Sequence, residues 1–440
     1  MRTFTVLLLV AAAAQAADPL EARFLKALKA DLATGKAEQT LKFIAPELKD
    51  KLSAARLDPV YAAWKGYGVV QSITRDPHTP FKLESRVRFI MKQAGEESHV
   101  LVSFNADKKI VAYWFRPAPP RWSYEELDAY FDAWSGEGAF VLTTPRFSRD
   151  CSTLGETPAP LGSIFKLYVL AELARQVDAK IVKLDQKVKV REKLKSFPSG
   201  VIHLKPDGAE VTVDELATKM IAISDNTATD LLIHLLGREN IEAGLERCKN
   251  TRPDFNRPFL TTREMFLIKG GGNELKTVGM DFKALCEKWA DASREQRAKW
   301  VDAITAPYAK KSIAELTAHV PNGYALRSTF QRRHLTFEWH AHIDDIPDLL
   351  IAMWNKELPG AEIFLKYFAK GSEIYPREWV GYYGFKGGSE TNVMAMCALA
   401  VHADGVPTAV FVCRRGDIGK MAAGEVAKVA AALLREGLER

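Results

Sequence analysis

The chain has 440 residues, 47% of them hydrophobic and 26% charged, and a formal net charge of +6. That length predicts two or three domains and that composition a soluble globular protein. The positive charge is spread along the chain without a basic block or interleaved aromatics, which argues against a nucleic-acid partner. At the N-terminus Arg2 precedes the apolar run Phe4–Val10, and Ala14-Gln15-Ala16 supplies a small-x-small cleavage site. This is the pattern of a secretory signal peptide over residues 1–16, too short to span a membrane. No Cys follows the site for lipid attachment, and no later apolar run approaches the ~20 residues of a membrane helix. The expectation is a secreted or periplasmic protein.

In residues 17–116, Leu20, Phe24, Leu28 and Leu32 form one helical stripe, which Leu41, Ile44 and Leu48 continue on a second helix. Val69–Ile73, Leu83–Met91, His99–Asn105 and Ile110–Phe115 alternate like antiparallel strands, with Asp107-Lys108-Lys109 turning the last hairpin. Helices followed by a sheet predict a small α+β domain. The order resembles the cone-shaped nuclear-transport-factor-2-like fold, shared with ketosteroid isomerases and polyketide cyclases. The resemblance implies an apolar pocket, which Trp64, Tyr67, Phe81, Tyr113 and Trp114 would line unless they fill a core, the plainer reading. No Asp/Tyr set marks an isomerase site.

Pro117, Pro119 and Pro120 stiffen a linker over residues 117–122. Ser123-Tyr124-Glu125-Glu126 reads as a capping box opening a helix to about Trp134, and Ala139–Thr144 as a strand. At Pro160-Leu161-Gly162-Ser163-Ile164-Phe165-Lys166 a Pro and a Gly break the backbone, and an apolar helix begins at the Ser. Ser163 and Lys166 are three apart and share a helix face. A hydroxyl beside an amine is the minimum apparatus of nucleophile and base. A chain this long contains on the order of one S-x-x-K by chance, so other parts must decide.

Two other parts follow in order: Ser224-Asp225-Asn226 inside an apolar helical run, and Lys386-Gly387-Gly388-Ser389-Glu390 at the end of a strand-like run. S-x-x-K, S-D-N and K-[T/G]-G in that order resemble class A β-lactamases and penicillin-binding proteins. The spacing from Ser163 to Ser224 and the flanks Phe197-Pro198-Ser199-Gly200-Val201 and Leu216-Ala217-Thr218 fit the same family. The resemblance covers residues 123–440 and implies an antiparallel sheet flanked by helices, with a helical subdomain. It makes Ser163 the acylated nucleophile, Lys166 its base and Ser224 the proton relay. Asn226 would bind a substrate amide and hold Lys166, and Lys386 would attract a substrate carboxylate while lowering the basicity of Lys166. The N–H groups of Ser163 and Ser389 would form the oxyanion hole, with Gly388 and Glu390 beside it. It implies a small-molecule acyl or β-lactam substrate and neither metal nor organic cofactor.

The chain also departs from that pattern. Class A enzymes carry a Glu on a loop beyond S-D-N that activates the deacylating water; counting forward from Asn226 lands near Thr261. The candidates to replace it are Asp254, Glu264 and Glu390, although Thr261-Thr262-Arg263-Glu264 reads better as a capping box. Between S-D-N and K-G-G the chain is several tens of residues longer than class A, over about Asn273–Glu378, with helices near Phe282–Ala292, Glu295–Ala303 and Asp345–Leu358. His340 and His342 in this insert lack a third metal ligand at suitable spacing, and Asp344 reads as a helix cap. Folding Val393–Val401 onto Thr408–Cys413 about Gly405 sets Cys397 opposite Cys413, as two buried thiols in preference to a disulfide. The two-domain arrangement and K-G-G-S-E resemble the two-domain serine hydrolases of clavulanic acid clusters. The leading expectation is an exported serine hydrolase acting through acyl-Ser163 on an amide, lactam or ester. A true class A-type β-lactamase and a covalent β-lactam sensor are the alternatives.

Overall fold

Asp18 starts the first helix, accepting a hydrogen bond from Leu20 N–H at 2.7 Å, and left-handed Gly35 (φ +76°) ends it, giving α1, Pro19–Thr34. This computed structural model describes residues 18–49, 52–66, 69–75, 86–93, 96–117, 120, 122–134, 136–196, 199–270, 273–316, 335–375, 377, 380–416 and 422–439. The proposed signal peptide lies outside them. The chain divides into two units, Met1–Ala118 and Pro119–Arg440.

In the first unit, Leu20, Phe24, Leu28 and Leu32 are buried, as their spacing requires. They belong to one core with an antiparallel sheet of order β1 (Val70–Arg75), β2 (Arg86–Gln93), β3 (Glu96–Phe104) and β4 (Ile110–Pro117). Val87, Phe89 and Met91 alternate inward on β2, as do Val100, Val102 and Phe104 on β3. Phe24 meets Phe89 and Phe104 with ring centroids 5.6 and 5.4 Å apart. The second helix is not at 41–48, where Pro46 interrupts the chain and two short 3₁₀ turns form. It is α2, Ala54–Gly66, whose buried stripe is Leu57, Tyr61 and Trp64. A buried chain of hydroxyls ties these pieces together: Thr40 Oγ1 donates to Asp31 at 2.6 Å and meets Tyr61 at 2.8 Å, and Tyr61 meets Tyr113 at 2.6 Å. Burial pushes both phenols up, so they stay neutral. Trp64 and Tyr113 are thus core residues; Tyr67, Phe81 and the Trp114 side chain lie outside the description.

In the second unit the predicted capping box is present: Ser123 accepts from Glu126 N–H at 3.2 Å and Glu126 accepts from Ser123 N–H at 2.7 Å, opening α3, Tyr124–Asp132. A five-stranded antiparallel sheet has the order β11 (Tyr382–Glu390), β12 (Val393–Val401), β13 (Pro407–Arg415), β5 (Glu137–Thr143) and β6 (Ser148–Ser152). Its central strands are buried on both faces. Phe140, Leu142, Val410 and Val412 share a core with Leu127 and Phe131 of α3 and with the C-terminal helix Ala422–Glu439. Val141, Leu399 and Phe411 face the larger helical core on the other side. Strands covered on both faces read as continuous apolar runs, which explains the composition of Val393–Val401. Among the described residues, no helix is long and apolar enough to cross a membrane.

The hairpin register corrects the cysteine pairing. Val401 opposes Pro407, so Cys397 opposes Phe411 and Cys413 opposes Ala395. The loop closes between His402 and Val406, which puts its midpoint at Asp404, while left-handed Gly405 (φ +88°) falls one residue past it. All five cysteines are free, and all but half-buried Cys151 are buried. Thiol titration of the unreduced, denatured protein should therefore return five thiols. In the native protein Cys151 should react first, and Cys151→Ser should remove that fast phase.

Candidate active site

Ser163 owes its position to two pairings. Ala159–Pro160 (β7) pairs with His340–Ala341 (β10) of the insert, and Leu161 N–H donates to Trp339 O at 2.8 Å. The chain then turns at Gly162 (φ +48°) into a 3₁₀ turn, Gly162–Phe165, before helix α4, Lys166–Asp178. The helix proper thus begins at Lys166 and not at Ser163. A 3₁₀ turn superposes residues three apart, which brings Lys166 directly over Ser163. Lys166 Nζ lies 3.1 Å from Ser163 Oγ.

The S-D-N segment joins α5 (Val213–Ala222) to α6 (Asn226–Leu236). Asp225 caps α6 by accepting from Ala228 N–H at 2.9 Å, and its other oxygen accepts from Val201 and Ile202 N–H at 2.6 and 2.9 Å. A Cβ on Gly200 would overlap that carboxylate, so the loop needs its glycine. Phe197 and Pro198 lie outside the described residues. Ser224 holds a left-handed backbone (φ +57°), which costs a non-glycine residue about 1–3 kcal/mol. That strain turns its hydroxyl toward both lysines, 2.9 Å from Lys166 Nζ and 3.0 Å from Lys386 Nζ. Lys166 also donates to Ser224 O at 2.8 Å and Asn226 Oδ1 at 2.7 Å.

Strand β11 brings the third segment. A Cβ on Gly388 would overlap Leu161 O and Ser163 N, and one on Gly162 would stand 3.0 Å from Ser389 N. Only glycines permit this approach, and it brings the Ser163 and Ser389 amides to one place. Ser163, Ser224, Asn226, Gly388, Ser389 and Glu390 line one cleft of about 520 Å³, with both lysines hydrogen-bonded beneath it. The eight residues to which the resemblance gives a catalytic or substrate-binding role are therefore gathered here.

Electrostatics set the protonation. Lys166 is fully buried, and burial with the nearby Lys386 cation holds its basicity well below that of an ordinary lysine, against the pull of Asp230 and Asp225. Lys386 is lowered to about 8 by burial. A neutral Lys166 has two N–H bonds for its two fixed acceptors, Asn226 Oδ1 and Ser224 O, and its lone pair remains for Ser163 O–H. The arrangement can abstract the serine proton.

The carboxylates proposed for deacylation fare differently. Asp254 is exposed and pairs with Arg257 at 3.0 Å. Glu264 forms the expected capping box with Thr261 (2.8 Å) at the start of α8, Thr262–Gly270, and pairs with Arg238 at 2.6 Å outside the cleft. Glu390 lines the cleft with one oxygen held by Thr391 N–H at 2.7 Å. Thr262, next to the position reached by counting from S-D-N, lines the cleft and bonds to Asp230 at 2.8 Å. The insert adds Glu338 and Trp339 to the lining, which sequence reasoning missed although they flank the histidines it weighed. His340 is buried and kept neutral, its titration lowered to about 4 by burial, and no group of three metal-ligating side chains occurs among the described residues. Asp344 occupies the N-cap position of the next helix as expected, but its side chain makes no capping bond and meets His342 Nδ1 at 3.2 Å; Asp345 accepts from His342 N–H at 2.7 Å and from Thr251.

Residues 123–319 match the profile of a family described as the "Beta-lactamase enzyme family". Residues 123–319 are thus a β-lactamase-family domain, which supports a serine hydrolase of that superfamily. No curated protein sequence matches the chain. Among solved structures, PBP-A is similar with 12% identity and a TM-score of 0.47, over 72% of this chain and 95% of its own. A β-lactamase from Sphaerobacter thermophilus is similar at 19% identity and TM-score 0.45, over 72% and 97%. An ancestral class A β-lactamase is similar at 16% identity and TM-score 0.45, over 71% and 98%.

A bell-shaped pH dependence of acylation is expected of this hydrolase, measured by stopped flow with a chromogenic cephalosporin. The rate should rise as Lys166 loses its proton and fall near pH 8 as Lys386 loses its own. Lys386→Arg, which stays charged, should remove the falling limb below pH 10.

Proposed function

We propose that this protein is an exported hydrolase that opens an amide, β-lactam or ester through an acyl-Ser163 intermediate. The observation that carries the reading is the Lys166 amine, buried, committed to two acceptors and 3.1 Å from Ser163 Oγ. Lys166 takes the serine proton as Oγ attacks the acyl carbon. The Ser163 and Ser389 N–H groups receive the developing oxyanion. Ser224, bridging the two lysines, passes a proton to the departing nitrogen or oxygen, and Lys386 draws the carboxylate of an anionic substrate. The N-terminal sequence supports export. The helices-then-sheet order of the first unit supports a nuclear-transport-factor-2-like cone, an architecture paralleled by the two-domain hydrolases of clavulanic acid clusters.

A second reading is a covalent β-lactam sensor with little turnover. It is favoured by Thr262, a residue without a carboxylate, lining the cleft beside the position where class A enzymes carry their loop Glu.

Intact-mass spectrometry of the full chain with benzylpenicillin and a chromogenic cephalosporin tests both. A single adduct should form and be absent in Ser163→Ala, and Lys166→Met should slow its formation at least ~100-fold. No adduct with either lactam or an activated ester would sink the acyl-serine reading, and an adduct that never clears would favour the sensor.

A further inference from the structure

Among the described residues, the stretch between S-D-N and the insert supplies no carboxylate to the cleft lining. Both oxygens of Asp230 are occupied, one by Thr262 N–H and Oγ1 at 2.8 Å and the other by Arg263 N–H at 2.9 Å. Asp254 and Glu264 are spent on ion pairs outside it.

Glu338 reaches the cleft from a different part of the chain. It sits between Phe337 and Trp339, and Trp339 is bound to the turn that bears the nucleophile. The Trp339 carbonyl accepts from Leu161 N–H, and its ring stacks on Phe165 with centroids 3.6 Å apart and planes within 11°. Residues 340–341 pair with 159–160. Glu338 is therefore fixed to the same backbone as Ser163, and it lines the same cleft as Ser163, Ser224, Asn226 and Thr262.

Its side chain is fully buried and its two oxygens are unequal. One accepts from Lys269 Nζ of α8 at 2.6 Å, an ion pair with 0% exposure on both sides. The other, Oε2, is buried without a hydrogen-bond partner among the described residues. A buried carboxylate oxygen left in that state is costly, and a water donating from the cleft would satisfy it. Lys269 holds one carboxylate oxygen in place and so fixes the position of the other.

We propose that Glu338 Oε2 is the base that activates water to release the acyl group from Ser163. The proposal rests on the acyl-Ser163 reading and adds its second half. Oε2 takes one proton of the water, whose oxygen pair forms the new bond to the acyl carbon while the carbonyl π pair moves onto oxygen. Collapse of that adduct expels Ser163 Oγ with its bonding pair. The proton held by Glu338 then returns to Oγ through the cleft, so ester and water become carboxylic acid and free serine. Burial pushes the Glu338 carboxyl up, against the neighbouring Lys269 and with the help of the Glu390 charge. A carboxylate raised in this way is a better base near neutral pH than an exposed one. Lys269 is a positioning residue.

The test follows adduct formation and loss by intact mass, in the full chain with a chromogenic cephalosporin. Glu338→Gln should acylate within about threefold of the parent rate and deacylate at least ~100-fold more slowly, so that the adduct accumulates. Because that variant leaves Lys269 an unpaired buried cation, Lys269→Gln/Glu338→Gln is measured beside it and should show the same split. A purely structural pair would slow both steps together or neither. Equal adduct lifetimes in the parent and in both variants would overturn the assignment of Glu338 while leaving acyl-Ser163 standing. Absence of any adduct in the parent would remove acyl-Ser163, and this proposal with it.

Discussion

A lysine with no access to water is the constraint on which this site depends. An ammonium buried without a counter-charge is penalised heavily, so burial favours the neutral amine. Lys166 makes its hydrogen bonds to Ser163, Ser224 and Asn226, all neutral, and its neighbour Lys386 is a second buried cation. Asp225 and Asp230 pull the other way, but their oxygens are engaged elsewhere, at loop and helix N–H groups. The fold thus spends its carboxylates on backbone and leaves the amine neutral. Removing water from Lys166 requires the apolar length of α4, the cap of α6 and the edge strand β11 at once. Chemistry and packing are here the same requirement.

The second constraint is how closely backbones approach. Gly162 and Gly388 are apposed where β11 crosses the nucleophile turn, and either side chain would force strand and turn apart. Such contact between an edge strand and a turn is possible only where neither has a Cβ. It brings two amides together, and amides fixed before the reaction need no reorganisation when negative charge develops. Gly200 makes the same provision on the opposite wall, where the loop must close over Asp225. The strained Ser224 between these walls is tolerated because its neighbours on both sides are held by helix-capping bonds.

Ser163, Lys166, Ser224, Asn226 and Lys386 were readable in the sequence because each sits at a local event: a helix start, a helix cap, or a glycine-bearing strand. The α1 stripe and the Ser123 capping box were readable for the same reason. The errors arose where local signals competed. Leu41, Ile44 and Leu48 carry helical spacing, but Pro46 interrupts them, whereas Leu57, Tyr61 and Trp64 form a helix across Pro59. Gly405 marks the hairpin turn correctly, yet a loop midpoint one residue earlier shifts the cysteines two places out of register. Glu338 carried no local signal at all. Its placement follows from pairing β10 with β7, strands far apart in sequence, and spacing within either segment says nothing of that pairing.

That long-range pairing gives the insert a chemical meaning. Two fully buried lysines flank the nucleophile's surroundings, and their partners separate their roles. Lys166 is bonded to neutral acceptors, which suits an amine that must gain and lose a proton at a serine hydroxyl. Lys269 is bonded to a carboxylate at 2.6 Å, which suits a fixed charge that holds one oxygen and leaves the other without a hydrogen-bond partner among the described residues. A buried ion pair is a poor source of stability, since well-packed apolar residues do as well or better. Its place in the lining of the nucleophile's cleft, with one carboxylate oxygen lacking a hydrogen-bond partner among the described residues, is better explained by reactivity than by folding. On the proposed mechanism the serine is acylated with a base from its own helix and freed by a base from the insert. The departures in this chain, a missing loop carboxylate and an enlarged insert, then become one substitution of where the second base comes from.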